Sequence, residues 1–206
     1  AQCLVGSEMC IRDRYKLYTS YTREMSGDDV GVWFDYDTDE GEAIEVKMGI
    51  SYVSIENARL NMNTEQPGFD FDKVRTAAST MWNKDLSKVQ VEGGTKDEKT
   101  IFYTGMYHLL IHPNILQDVN GEYPMMESLK VGHTTGNRYT VFSLWDTYRN
   151  VSTLMTLLYP ERQLDIIRTM LDMYRENGWL PKWELYGRET FTMEGDPSIP
   201  YIVDAW

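Results

Sequence analysis

The chain has 206 residues, 42% of them hydrophobic, enough for one substantial domain with a buried core or for two small ones. Its formal charge of −12 repels phosphate backbones and anionic headgroups, which argues against nucleic acid and anionic membrane surfaces as partners and favours neutral or cationic ligands. No apolar run approaches the roughly 20 residues of a membrane-spanning helix, and no charged-then-apolar leader opens the chain, so the native start is expected to lie upstream.

The first stretch, ending in Met9-Cys10-Ile11-Arg12-Asp13-Arg14, resembles translated sequencing-adaptor read-through, and residues 1–14 are read as a tail foreign to the protein. Without it the net charge is unchanged, because Glu8 and Asp13 leave together with Arg12 and Arg14; both cysteines, Cys3 and Cys10, leave as well. Read as native, the same tail carries two free thiols. Cysteine usage therefore says nothing about compartment.

Next, Val30, Val32, Phe34 and Tyr36 alternate, and beyond the acidic turn Asp37-Thr38-Asp39-Glu40-Gly41-Glu42 a second alternation runs through Ile44, Val46, Met48, Ile50 and Tyr52. Period two on both sides of a turn predicts a β-hairpin with one buried face. Two strands do not stand alone in water, so either most strands of their sheet lie upstream of residue 15 or the hairpin packs on something else. From Asp70 the period changes. Val74, Ala77, Ala78, Met81 and Trp82 recur at three and four residues, predicting an amphipathic helix behind an Asp70 cap. Glu92-Gly93-Gly94-Thr95-Lys96-Asp97-Glu98-Lys99 reads as a loop, which makes the helix before it a connector.

The remainder has helical periodicity. One helix carries Phe102, Met106, Leu109 and Leu110 and ends at Pro113; another spans residues 142–158; a third presents Leu164, Ile167, Met170, Leu171 and Tyr174. The third has Pro160 in its first turn, with Gly178 and Pro181 beyond its end. The intervening segments 114–140 and 178–195 exceed the ~2–8 residues of bundle connections, so an α/α arrangement fits better than a tight bundle. Long loops of this kind commonly carry function.

Phe142-Ser143-Leu144-Trp145-Asp146-Thr147-Tyr148-Arg149 begins a helix after such a loop. An indole beside a carboxylate suits a sugar: the ring covers the C–H side of a pyranose and the acid accepts from adjacent hydroxyls. Spacing alone favours an Asp cap in the helix's first turn, paired with Arg149. Gly178-Trp179-Leu180-Pro181-Lys182-Trp183-Glu184-Leu185-Tyr186-Gly187-Arg188-Glu189-Thr190 is a second loop dense in aromatic and charged residues. Trp179, Trp183 and Tyr186 line a cleft with Glu189 and Asp196 as polar anchors, or they pack beneath the loop. Nothing in the spacing of Asp146, Glu189 and Asp196 makes them converge. His108 and His112 share a helix face but lack the acid of a zinc-protease pattern, and no phosphate loop, nucleophile elbow or EF-hand spacing occurs.

Several strings together carry a resemblance: Lys47-Met48-Gly49-Ile50-Ser51-Tyr52-Val53-Ser54-Ile55-Glu56-Asn57-Ala58, Phe69-Asp70-Phe71-Asp72, Phe102-Tyr103-Thr104, Tyr107-His108, the segment 142–149, and Glu189-Thr190 followed by Met193, Gly195-Asp196-Pro197 and Asp204-Ala205. In this order, over about residues 30–206, they resemble glycoside hydrolase family 92. The resemblance implies an α+β multidomain fragment: the end of a β-sandwich (15–57), a helical linker (58–95) and the first helices of an (α/α)6 barrel (96–206). It implies a secreted exo-acting α-mannosidase, periplasmic or extracellular, that hydrolyses terminal α-mannosides of glycoprotein-type glycans, α-1,2-type or related, with inversion and with calcium. Inversion holds a general acid and a general base about 6.5–9.5 Å apart to admit a water. The family's acid, calcium contacts and base lie in Glu-Gly-Asn-Ala-like, Asn-Glu-Pro-like and Gly-Asn-Asp-Asp-like segments. None has a match before Trp206, so no residue inherits a catalytic or calcium-binding role and the calcium ligands are expected downstream. What carries over is Asp146 as acceptor for the terminal mannose, with Trp145, Glu189 and Asp196 as weaker contributors to that pocket. Phe191-Thr192 departs from the polar residue and Cys that many members have before the Met. The rival readings are a glycan-binding homologue that has lost the chemistry, or another (α/α)6 carbohydrate-active enzyme.

Overall fold

In the computed structural model, which describes residues 36–206 and the backbone of 6–12, the chain divides into two compact units, Ala1–Val74 and Arg75–Trp206. In the first unit β1 (Gly6–Arg12), inside the segment read as a foreign tail, pairs antiparallel with β2 (Glu45–Ser51), Gly6 opposite Ser51 and Arg12 opposite Glu45. β2 is the second strand of the expected hairpin; residues 30–35 of the first lie outside the described residues, and Tyr36 is not in a strand.

The buried face of β2 is the reverse of the one expected. Val46, Met48 and Ile50 are exposed, whereas Gly49 and Ser51 are covered. The cause is α1 (Ile55–Glu65), which lies against the glycine side. A Cβ on Gly49 would stand 2.2 Å from the Ala58 carbonyl oxygen and 2.7 Å from the Met62 Cβ, so only glycine admits this approach. Ser54 caps α1 by accepting from the Asn57 N–H at 3.1 Å, and the Asn61 amide returns to the Ile50 carbonyl at 2.8 Å.

α2 (Phe71–Leu86) forms where the period predicts it, with the Asp70 carboxylate accepting from the Lys73 N–H at 2.9 Å. Its apolar side is only partly covered: no residue of α2 is buried and Val74 and Met81 are exposed, while Ala78 and Trp82 are half-buried, Trp82 against Tyr107 at 4.6 Å between ring centroids. In the second unit the expected loop is cut short, because α3 (Lys96–Leu109) starts at Lys96. The Thr95 hydroxyl accepts from the Glu98 N–H while Glu98 accepts from the Thr95 N–H, a reciprocal cap that nucleates the helix inside the polar run.

The long segment that follows is not structureless. β3 (Asn114–Ile115) pairs with β6 (Tyr139–Thr140) and β4 (Glu122–Pro124) with β5 (Val131–His133), both antiparallel. The single helix expected over 142–158 is two: α4 (Leu144–Thr147) and α5 (Val151–Leu158). Asn150, at φ −147°, breaks the run between them, and its carbonyl begins α5 by accepting from the Leu154 N–H.

α6 (Pro160–Asn177) has Pro at its first position and Gly178 at φ +85° just past its end, as expected. Its inward face is Ile166, Met170 and Met173, with Ile167 packed beside them; of the expected stripe Met170 and Ile167 thus face the core, while Leu164, Leu171 and Tyr174 are exposed. β7 (Glu184–Leu185) and β8 (Arg188–Glu189) form a tight antiparallel pair, and α7 (Ser198–Asp204) closes the chain.

The core of this unit joins α4, α5, α6 and α7 through Phe142, Leu144, Met155, Ile166, Met170, Met173 and Tyr201. Its buried polar side-chain atoms are paired, with Arg138 Nε beside it the exception among the described residues. Gln163 accepts from the Tyr201 hydroxyl at 3.0 Å and donates to the Ser152 hydroxyl at 3.0 Å. Beside it, the Arg138 guanidinium meets the Glu176 carboxylate through two bonds of 3.1 and 2.8 Å, their side chains 2% and 7% exposed, and Glu176 also accepts from the Met126 N–H. This pair fastens the loop bearing β6 to α6.

Candidate functional site

The two loops picked out by composition are physically joined. Glu184, in the middle of the second, is fully buried, and its carboxylate accepts from the Thr140 hydroxyl at 2.9 Å, the Val141 N–H at 3.0 Å and the Gly187 N–H at 2.6 Å. Its own carbonyl accepts from the Phe142 N–H at 2.9 Å. Thr140 reciprocates across the junction, its hydroxyl accepting from the Tyr186 N–H at 2.8 Å. Burial pushes the Glu184 carboxyl up to about 7 against these N–H and O–H donors and the charge of Arg138. One acid thus pins the lead-in to α4 onto the β7–β8 turn.

Backbone strain gathers at the same place. The non-glycine residues at positive φ among those described are Glu127 (49°), Val141 (66°), Tyr186 (50°), Phe191 (52°) and Met193 (67°). A β-branched residue there is a genuine outlier, and such strain persists where the surroundings over-determine it, commonly at functional sites. Four of the five are bonded into one assembly: Val141 and Tyr186 through Glu184 and Thr140, Phe191 through Glu189, and Glu127, which accepts from the Glu189 N–H at 2.8 Å and donates its own N–H to the Gly187 carbonyl at 2.8 Å.

The four residues expected to contact the sugar lie in different surroundings. Asp146 is exposed, at the third position of α4, and its carboxylate accepts from the Ser143 hydroxyl at 2.5 Å. It is not the cap of that helix. Arg149 instead lies over the Trp145 ring at 4.7 Å and over Tyr148 at 5.0 Å, so one indole face is already taken by a cation. Glu189 is buried and accepts from the Lys182, Trp183 and Phe191 N–H groups at 2.7, 2.9 and 2.8 Å, which commits three of about four carboxylate acceptor positions to the backbone of its own loop. Asp196 is exposed at the start of α7. Trp179 and Phe191 meet edge to face, 6.2 Å between centroids, and are 63% and 59% exposed.

Glu184 and Thr140 escaped the sequence reading. The signal for Glu184 was an acid between Trp183 and Leu185, three residues before a turn glycine; nothing local marked Thr140. Among the described residues no group of three or more His, Cys, Asp or Glu side chains is placed to hold a metal ion, and no helix is long and apolar enough to cross a membrane.

A sequence profile described as the glycosyl hydrolase family 92 catalytic domain matches residues 57–206. The chain is similar to the family GH92 alpha-mannosidase BT3965 from Bacteroides thetaiotaomicron, with 37% identity and a TM-score of 0.77 over 81% of this chain and 22% of that one. It is also similar to the Family GH92 inverting mannosidase BT2199 from Bacteroides thetaiotaomicron VPI-5482, with 31% identity and a TM-score of 0.77 over 83% of this chain and 23% of that one. A curated relative, an uncharacterized secreted glycosidase of Arthroderma benhamiae, is 27% identical over 168 residues, 79% of this chain and 17% of the relative. The chain therefore spans about a fifth of the length of the proteins it matches.

Proposed function

The chain belongs to glycosyl hydrolase family 92, and from that membership we propose that the protein containing it is an inverting exo-α-mannosidase acting on terminal α-mannosides of glycoprotein-type glycans, α-1,2-type or related. The observation that carries the reading is the pinned, strained junction of segments 142–149 and 184–193, in a chain whose solved relatives are mannosidases, one of them in complex with mannoimidazole. Asp146 presents an exposed carboxylate on a short rigid helix and accepts hydroxyls of the terminal mannose. Trp145, backed by Arg149, supplies an apolar edge beside it. Glu189 shapes the second loop from within, and Asp196 stands at its far end.

The rest of the reading concerns the whole protein. An N-terminal β-sandwich, a helical linker and an (α/α)6 barrel are its proposed domains, and secretion to the periplasm or outside the cell its proposed location. Calcium belongs to the proposal, with its ligands placed in segments beyond this chain, and no step is assigned to it. Proton transfers belong to an acid and a base on either side of the scissile bond, outside this chain. The full-length protein, with calcium, is expected to release the sugar from an aryl α-mannoside with inverted configuration by NMR, and to leave the α-glucoside intact. Mannoside binding without turnover would identify a glycan-binding homologue instead.

A further inference from the structure

The Glu184 junction has a design that a packing role alone does not require. An ionised carboxylate only accepts, and every polar atom that its oxygens meet brings a hydrogen: the Thr140 O–H, the Val141 N–H and the Gly187 N–H. With the bond from the Phe142 N–H to its carbonyl, one residue holds three successive positions, 140, 141 and 142, from 42 to 44 residues away in sequence. Two of the strained residues hang on this assembly by their amides, Val141 on Glu184 itself and Tyr186 on the Thr140 hydroxyl. Freed of these bonds, Val141 would relax to the extended region that a β-branched residue prefers. The peptide planes ahead of Ser143 would turn, and α4 would leave β6 in another direction.

We infer that Glu184, acting through Thr140, is a positioning residue of the mannose pocket: it holds Val141 and Tyr186 in the left-handed region and so sets where Trp145 and Asp146 point. The inference rests on the mannosidase reading for the identity of the ligand. Among the described residues the charge that bears on Glu184 from the elements around it is Arg138, which is itself bound to Glu176. The rise of the Glu184 carboxyl to about 7 places the loss of its acceptor form within the neutral range. A protonated acid would keep one oxygen as a full acceptor, and its O–H would find only the Thr140 hydroxyl, the one of its partners that can also accept.

The test uses the full-length protein and three variants. Glu184→Gln keeps the size of the side chain but sets an amide N–H against the Val141 or Gly187 N–H; Thr140→Val removes the relay hydroxyl, and Thr140→Ser retains it. Hydrogen exchange of residues 140–149 reads the positioning directly, and mannoimidazole affinity with the KM and kcat for an aryl α-mannoside read its consequence. Glu184→Gln and Thr140→Val are expected to speed exchange in 140–149 by about tenfold and to weaken mannoimidazole binding by about tenfold, while Thr140→Ser stays near wild type. Unchanged exchange in Glu184→Gln overturns the positioning role, and so does faster exchange with unchanged affinity and kinetics. Should Glu184→Gln not fold, the contrast between Thr140→Val and Thr140→Ser decides the matter alone. Wild-type protein that neither binds nor turns over a mannoside sinks the mannosidase reading first, a result distinct from either of these.

Discussion

At the scale of single residues, the buried acid makes a prediction about pH. The folded Glu184 carboxyl titrates at about 7 against an ordinary 4.5, mainly because burial penalises its charge. Between those values the folded chain keeps a proton that the unfolded chain has released. The stability this confers is fully present below about 4.5 and is lost as pH rises through about 7. The difference in unfolding free energy between wild type and Glu184→Gln should therefore shift against the wild type by on the order of 3 kcal/mol between about pH 4.5 and about pH 8. Denaturant titrations at the two pH values measure it, and a constant difference would contradict the assignment. Little of this was legible beforehand: Glu184 is one of 32 acids in the sequence, and what makes it different arrives from Thr140, Val141 and Phe142 through the fold. Asp146 was legible as a candidate because an aromatic–acid pair is a local pattern. Glu189 was legible as a polar anchor, but the backbone amides it serves were not.

Among the elements, those with local punctuation were readable. α6 begins at Pro160 and stops at Gly178 because a proline needs no amide partner in the first turn and a glycine costs nothing in the left-handed region. A Cβ on Gly178 would meet no atom within 4 Å, so the penalty for Gly178→Ala is conformational alone. That substitution should cost about 1 kcal/mol, read as a lower unfolding midpoint; no loss would mean that the helix ends elsewhere in solution. Which stripe of an element faces inward was not readable. β2 turns Gly49 rather than Met48 toward α1, and α6 buries Ile166 and Met173 rather than Leu164 and Tyr174, because the choice depends on where the neighbouring helix can approach. The break between α4 and α5 was invisible for the same reason. The run 142–158 reads as one helix, and Asn150, where it breaks, carries no local stop signal.

For the whole molecule, family membership and the order of elements followed from strings spread along the chain, while the extent of uncovered apolar surface needed coordinates. Phe71, Met81, Ile101, Leu157 and Val203 are all exposed, on four different helices. The 206-residue chain produced alone should consequently self-associate and bind a hydrophobic dye, with light scattering as the check; a monodisperse monomer with a cooperative thermal transition would show that these faces need no partner. The central claim is narrower, that the pinned segment 142–149 presents Asp146 to the terminal mannose. Steady-state kinetics of the full-length protein and its Asp146→Ala variant on an aryl α-mannoside test it most directly. The account predicts a fall in kcat/KM of about tenfold or more, about 1.4 kcal/mol of transition-state stabilisation, with the fold intact by circular dichroism. A variant with the kcat/KM of the wild type would contradict it.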